Sequence, residues 1–171
     1  NPSVATKLVI GGASPINAGA CNPYTITSKD AYGNASDVTT NVIADLTGAG
    51  AGAFYSESTC TSTQSTAQIS SGLHQTTVYF KDTAAANHTL AASDQAMVLT
   101  AIGFALTTDP ALPFELTLSG NATAQAGVGE PYSIGLLDEY GNVTTADQTI
   151  TVALTSTGSG SFFVNSNCTV S

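Results

Sequence analysis

The chain has 171 residues, with 12 acidic side chains, three lysines, no arginine and a net charge of −9. Charged residues make up 9% of it, against about 25% in an average soluble protein. This balance excludes the clustered cations of a nucleic-acid footprint and of anionic-lipid docking. The 42% hydrophobic content supplies a core and argues against disorder.

Taken in chain order, the elements read as strands. Leu8 and Ile10 alternate with Lys7 and Val9, so the leucine and isoleucine face inward and the lysine outward. Tyr24 and Ile26 form the inward phase of a second strand, and Val42, Ala44 and Leu46 that of a third. Further strands are expected around 52–56, 67–70, 75–81, 89–93 and 97–102, separated by Gly, Asn, Asp and Pro clusters. The prolines at 110 and 113 mark 104–113 as a short, stiff junction, because proline fixes φ and disfavours helix before it. No segment shows a capped helical period, and no apolar run reaches the ~18 residues of a membrane-spanning helix. Asn1-Pro2-Ser3-Val4 lacks the basic and apolar regions of a secretory signal.

After the junction the chain repeats itself. Pro23-Tyr24-Thr25-Ile26 returns as Pro131-Tyr132-Ser133-Ile134, and Asp30-Ala31-Tyr32-Gly33-Asn34 as Asp138-Glu139-Tyr140-Gly141-Asn142. Gly52-Ala53-Phe54 returns as Gly160-Ser161-Phe162, and Cys60-Thr61 as Cys168-Thr169. Every pair is offset by 108 positions; residues 1–63 align with 109–171 without a gap, at 20 identities. The second copy carries Leu116, Leu118, Tyr132, Ile134, Ile150, Val152 and Leu154 at the inward positions of the first. A period of this size is a small domain, not a solenoid repeat. The expected fold class is all-β: tandem immunoglobulin-like β-sandwiches, the second incomplete within this chain, with a closed barrel as the alternative. Residues 1–106 form the complete repeat and 107–171 the N-terminal part of a second.

The Ala-Gly pair ahead of a strand running into Asp-x-Tyr-Gly-Asn resembles the bacterial Ig-like repeats of invasin and intimin type. So do the later Gly-x-Phe, the cysteine, and Val78-Tyr79-Phe80-Lys81-Asp82-Thr83. The resemblance covers both copies. It implies a non-enzymatic, extracellular structural repeat of a bacterial surface adhesin or fibre, acting as a stalk or spacer. The partners it implies are neighbouring repeats or like subunits, together with a host or surface ligand that the residues do not name. Two alternatives stand beside it. One is a filament subunit whose second sandwich is completed by strands of a neighbouring molecule. The other is a glycan- or protein-binding module that uses its loop tips.

In that setting Cys21 and Cys60 pair as a structural disulfide; closing their 39-residue span contributes about 4 kcal/mol in the chain-entropy picture. Two buried thiols in a reducing compartment are the alternative reading. Gly129 stands where the second copy needs the partner cysteine, so Cys168 is left free or paired with another chain. Asp30, Tyr32, Gly33 and Asn34, with Asp138, Tyr140, Gly141 and Asn142, read as a turn. The glycine takes positive φ, the Asp and Asn bond local backbone, and the tyrosine packs on the sandwich end. A contact loop is the functional alternative, since the spacing does not match a helix-loop-helix calcium motif. No cofactor is implied, apart from calcium at the junction if Asp82, Asp94 and Asp109 converge. Asn34, Asn87, Asn121, Asn142 and Asn167 head glycosylation sequons in a Ser- and Thr-rich chain, where coincidence is the competing explanation. His74 and His88 are expected exposed, and no nucleophile context, phosphate loop or zinc spacing accompanies them. Lys7, Lys29 and Lys81 lack the repeated, buried setting that an intramolecular isopeptide bond needs.

Overall fold

A computed structural model describes residues 2–169. It contains twelve strands and, among the described residues, no helix. The chain divides into two units, Asn1–Ala111 and Leu112–Ser171.

The first unit holds two five-stranded sheets. One runs β5 (Ala53–Tyr55), β7 (Gln75–Lys81), β3 (Asn22–Lys29), β1 (Lys7–Gly12), β9 (Thr100–Ile102). The other runs β2 (Ile16–Asn17), β10 (Phe104–Asp109), β8 (Ala86–Asp94), β4 (Val42–Thr47), β6 (Thr66–Ile69). Most neighbours are antiparallel, but β9 lies parallel to β1 and β2 parallel to β10. Consecutive strands alternate between the two sheets from β1 to β10, and the chain crosses at Gly103 between β9 and β10. Gly103 suits that crossing: a Cβ there would stand 2.8 Å from Thr89 Cγ2.

Period-two alternation sends Leu8, Ile10, Tyr24, Ile26, Val78 and Phe80 inward from the first sheet. They meet Ala44, Leu46, Ile69, Leu90, Ala92 and Leu106 from the second. Aromatic rings knit the layer. Phe80 contacts Phe54 at 5.2 Å and Tyr24 at 6.1 Å, and Tyr24 reaches across to Phe104 at 5.9 Å, the latter two edge-on. The Tyr24 hydroxyl is buried, and burial pushes its pKa up to about 12. It donates to the Ala13 carbonyl at 2.7 Å, so a polar group is carried into the core without being orphaned.

Phe104–Asp109, expected to belong to the junction, is a strand instead. It pairs with β8 and β2 and buries Leu106 and Thr108. Pro110 stops the chain only after the strand is complete. The expected strand at 97–102 is shorter, since Met97 and Val98 are exposed in a loop ahead of β9.

In the second unit β11 (Glu115–Gly120) and β12 (Tyr132–Leu137) form a two-stranded antiparallel sheet. Its register repeats that of β1 and β3: Leu118 faces Ile134 as Ile10 faces Ile26, and Gly120 faces Tyr132 as Gly12 faces Tyr24. Tyr132 also donates to Asn121, the counterpart of Ala13, at 3.0 Å. The strands expected at 150–154 and around Phe162 are not formed among the described residues. The reason lies in the first unit, where β4 pairs with β6 and β8 and β5 pairs with β7. Alternation alone does not make a strand; pairing with a neighbour does.

The two tyrosines are matched in sequence, register and hydrogen bond, yet Tyr24 is 0% exposed and Tyr132 48%. Tyr24→Phe is therefore expected to cost about 1 kcal/mol in urea unfolding, the net worth of a buried hydrogen bond. Tyr132→Phe should stay within about 0.5 kcal/mol, as surface changes do. Equal costs would contradict the difference in burial.

Candidate functional site

The repeated turn is the most regularly built feature of the chain. At the end of β3, Asp30 turns its carboxylate back over its own loop. Oδ1 accepts the Tyr32 and Asn34 N–H groups at 3.0 and 2.9 Å, and Oδ2 accepts the Asn34 side-chain amide at 3.1 Å. Gly33 sits at φ 91°, which admits glycine at no cost. Asp138 repeats this after β12: Tyr140 and Asn142 N–H donate at 2.9 Å each, the Asn142 amide at 2.8 Å, and Gly141 takes φ 86°. Asp30 additionally accepts the Ser3 N–H at 3.1 Å, which ties the N-terminal segment to the turn. Burial pushes the Asp30 carboxyl up, but the bonds from Asn34, Ser3 and Tyr32 outweigh it and hold the group at about 2. Both Asn34 and Asn142 commit their amide nitrogens to these turns. Tyr32 does not pack on the sandwich end but stands 86% exposed, because every bond of its turn is made by backbone and by Asp30. Tyr140 is 39% exposed.

Cys21 and Cys60 form a disulfide, with Cα atoms 5.9 Å apart. It ties the entry of β3 to the loop after β5. That loop is built around Glu57, whose carboxylate accepts the hydroxyls of Ser56 and Thr61 and the N–H groups of Ser62 and Thr61; together these hold its pKa at about 2. Cys60 takes φ 49° and Cys168 φ 52°, and Asn165 bonds Thr169 as Glu57 bonds Thr61. The Cys168 thiol is free. A Cβ placed on Gly129 would stand 2.4 Å from its Sγ, so the loop holds the sulfur where the missing partner would be.

His88 corrects the expectation of exposed histidines. It projects from β8 into the core edge with 6% of its side chain exposed, edge-on to Phe80, its Nε2 2.6 Å from Oδ2 of the fully buried Asp82. Gly50 leaves the room it needs, since a Cβ there would meet Nδ1 at 2.6 Å. The Asp82 Oδ1 accepts the Ala84 N–H at 2.9 Å. Such a closed pair leaves no group aimed at a substrate. His74 is exposed, with Nδ1 2.8 Å from Asp37.

The three aspartates proposed to meet over calcium do not converge. Asp82 and Asp109 are brought near each other by Gly19 and Ala18, whose N–H groups bond their carbonyls. Asp94 lies at the far end of β8, about 20 Å of strand away from His88. There its carboxylate accepts the Ala96, Val98 and Leu99 N–H groups. Among the described residues no group of three or more His, Cys, Asp or Glu could hold a metal ion, and no helix is long and apolar enough to cross a membrane. A cleft of ≈ 570 Å³ opens beside Ser3, Val4, Val38, Thr40, Val98 and Leu99. Its charged groups are Asp37 and Asp94, both already engaged. Of the sequon asparagines, Asn87 lies in β8 and accepts from Thr107, Asn121 donates to Glu130, and Asn167 is exposed.

No protein-family model matches the chain, and no curated protein matches it. Among solved structures the chain is similar to the S-layer protein rSbsC(31-844), at TM-score 0.42 and 15% identity over 87% of this chain and 18% of that one. It is also similar to surface layer protein SbsC, domains 4-9, at TM-score 0.42 and 14% identity over 85% of this chain and 22% of that one. The chain thus spans about a fifth of the length of these structures.

The two depressed carboxylates set an acid limit. Asp30 and Glu57 ionise at about 2 when folded, below their ordinary 3.8 and 4.5. Their stabilisation is complete above the unfolded values and is lost as pH falls toward 2. Urea midpoints should therefore drop between about pH 5 and about pH 2. Asp30→Asn with Glu57→Gln should start lower at neutral pH and flatten that slope; an unchanged slope would contradict the assignment.

Proposed function

We propose that the chain is a non-enzymatic structural repeat of an extracellular surface protein, an Ig-like spacer laid down in tandem. The observation that carries this reading is the double occurrence of one framework. Sheet register, tyrosine bond, aspartate turn and cysteine loop all recur at an offset of 108 residues, while the positions between them drift. A catalytic chain preserves reacting groups; this one preserves folding devices. The buried His88–Asp82 pair and the spent carboxylates of the cleft leave no convergent chemistry. The disulfide suits an oxidising location outside the cell. The net charge of −9 discourages lateral clumping of neighbouring copies.

A second reading rests on Tyr32. An aromatic ring 86% exposed on a turn held by four bonds to Asp30 is a rigid, amphipathic contact point. It supports a loop-tip binding role, which the repeat architecture would present at a distance from the cell.

A spacer must bear load, and the disulfide defines how far it yields. Pulled from its ends as a single molecule, the oxidised first unit should release about 140 Å less contour than the reduced one, because 39 residues of about 3.6 Å each stay locked. Brief protease treatment of intact source cells should release peptides of this chain. Release only after lysis would overturn the surface role, and a unit that extends without a force-bearing transition would overturn the spacer role.

A further inference from the structure

Of the chain's six prolines, only Pro110 follows an aspartate. Asp109 closes β10 with its side chain exposed, and Pro110 is half-buried after it. The Asp109 carbonyl, the acyl half of the bond between them, accepts the Ala18 N–H at 2.8 Å. Both five-stranded sheets of the first unit lie ahead of this bond, which sits just inside the unit's boundary at Ala111.

We propose that the Asp109–Pro110 bond is a self-cleavage site opened by acid, which parts the first unit from the residues after it. The bond is a tertiary amide, so its nitrogen carries no hydrogen and takes up a proton more readily than an ordinary peptide nitrogen. The Asp109 carboxyl gives its proton to that nitrogen. Its oxygen then bonds to the Asp109 carbonyl carbon and closes a small cyclic anhydride. The C–N bond breaks, and its electron pair stays on the proline nitrogen. Water opens the anhydride and is the only co-reactant. The net change is hydrolysis, leaving a C-terminal Asp109 with both carboxyls and a Pro110 secondary amine. Glu130–Pro131 is a comparison within the same chain, since a carboxyl one methylene longer must close a larger ring.

The fold assists this step. Negative charge gathers on the carbonyl oxygen as the carboxyl attacks, and the Ala18 N–H already points at that oxygen. Register keeps the donor in place: Thr108 and Asp109 pair with Ile16 and Asn17 of β2, and Thr108 is buried. The proton is Asp109's own. On the strands packed against β10 the titratable groups are His88 and Asp94 of β8 and Lys7 of β1, with none on β2. His88 is closed on Asp82, Asp94 on its own loop, and Lys7 stands level with Lys29. Mild acid spares the unit itself, because Asp30 and Glu57 stay ionised down to about 2. The cut falls after the last strand, so residues 1–109 keep both sheets.

The experiment holds the full chain at about pH 3, below the ordinary carboxylate range. Intact mass is followed with time, beside a synthetic peptide covering 105–114. The chain should yield only 1–109 and 110–171, at least about tenfold faster than the peptide breaks at the same bond, a modest share of what an oxyanion donor contributes in an enzyme. The 1–109 product should keep the urea midpoint of the first unit at neutral pH. Asp109→Asn and Asp109→Glu should each slow the cut by at least about tenfold while leaving that midpoint within about 0.5 kcal/mol, since the side chain is exposed. Equal rates in chain and peptide would reduce the bond to ordinary Asp-Pro lability and overturn the proposal. So would undiminished cleavage of Asp109→Asn, equal cleavage at Glu130–Pro131, or a 1–109 product that does not fold.

Discussion

The pairing of β3 with β7 is the contact on which the first unit depends. It places Tyr24 and Ile26 beside Val78, with Phe80 completing the same layer, and so makes a strand that is saturated on both edges and buried on its inner face. The ring cluster of Phe54, Phe80, Tyr24 and Phe104 forms around it, and Phe80 in turn lies edge-on to His88, whose Nε2 stands 2.6 Å from Asp82 Oδ2. Hydrophobic burial and backbone hydrogen bonding are satisfied by the same strand pair. Neither is available to a strand standing alone.

In the second unit, among the described residues, β12 pairs with β11 alone. The local devices survive intact: a two-stranded sheet in the same register, the aspartate turn with the same bonds, the cysteine loop with the same positive φ. Strands at 150–154 and around Phe162 are not formed among the described residues, and Leu116, Leu118, Tyr132 and Ile134 are exposed. The turns encode themselves within a few residues, whereas the sandwich is a property of strands about 50 residues apart in sequence, such as β3 and β7.

The same distinction decides what could be read from the residues. Alternation at Leu8, Ile10, Tyr24 and Ile26 named the inner face, and the offset of 108 named the repeat, because both are local or self-comparing signals. His88 gave no such signal. Its burial depends on Gly50, Phe80 and Asp82, which are gathered only by the fold, and a histidine in a Thr- and Asn-rich strand reads as exposed. Pro110 marks a break in the sequence pattern, yet β10 runs up to Asp109 directly before it. Aromatic character suggests a packing role for Tyr32, but the carboxylate and backbone of its turn leave the ring nothing to cover. At 150–154 the alternation predicts a strand and none forms among the described residues, since a pattern states which face a strand would bury and not whether it pairs.

The second unit keeps the local frame of the first in its strand register, its aspartate turn and its cysteine loop. Gly129→Cys tests it most directly. The account predicts that the variant closes a bridge to Cys168 under mild oxidation, seen as loss of all free thiol and as a faster non-reduced band, with the Cys21–Cys60 bridge undisturbed. Two titratable thiols persisting in the oxidised variant, or scrambling with Cys21 or Cys60, would contradict it.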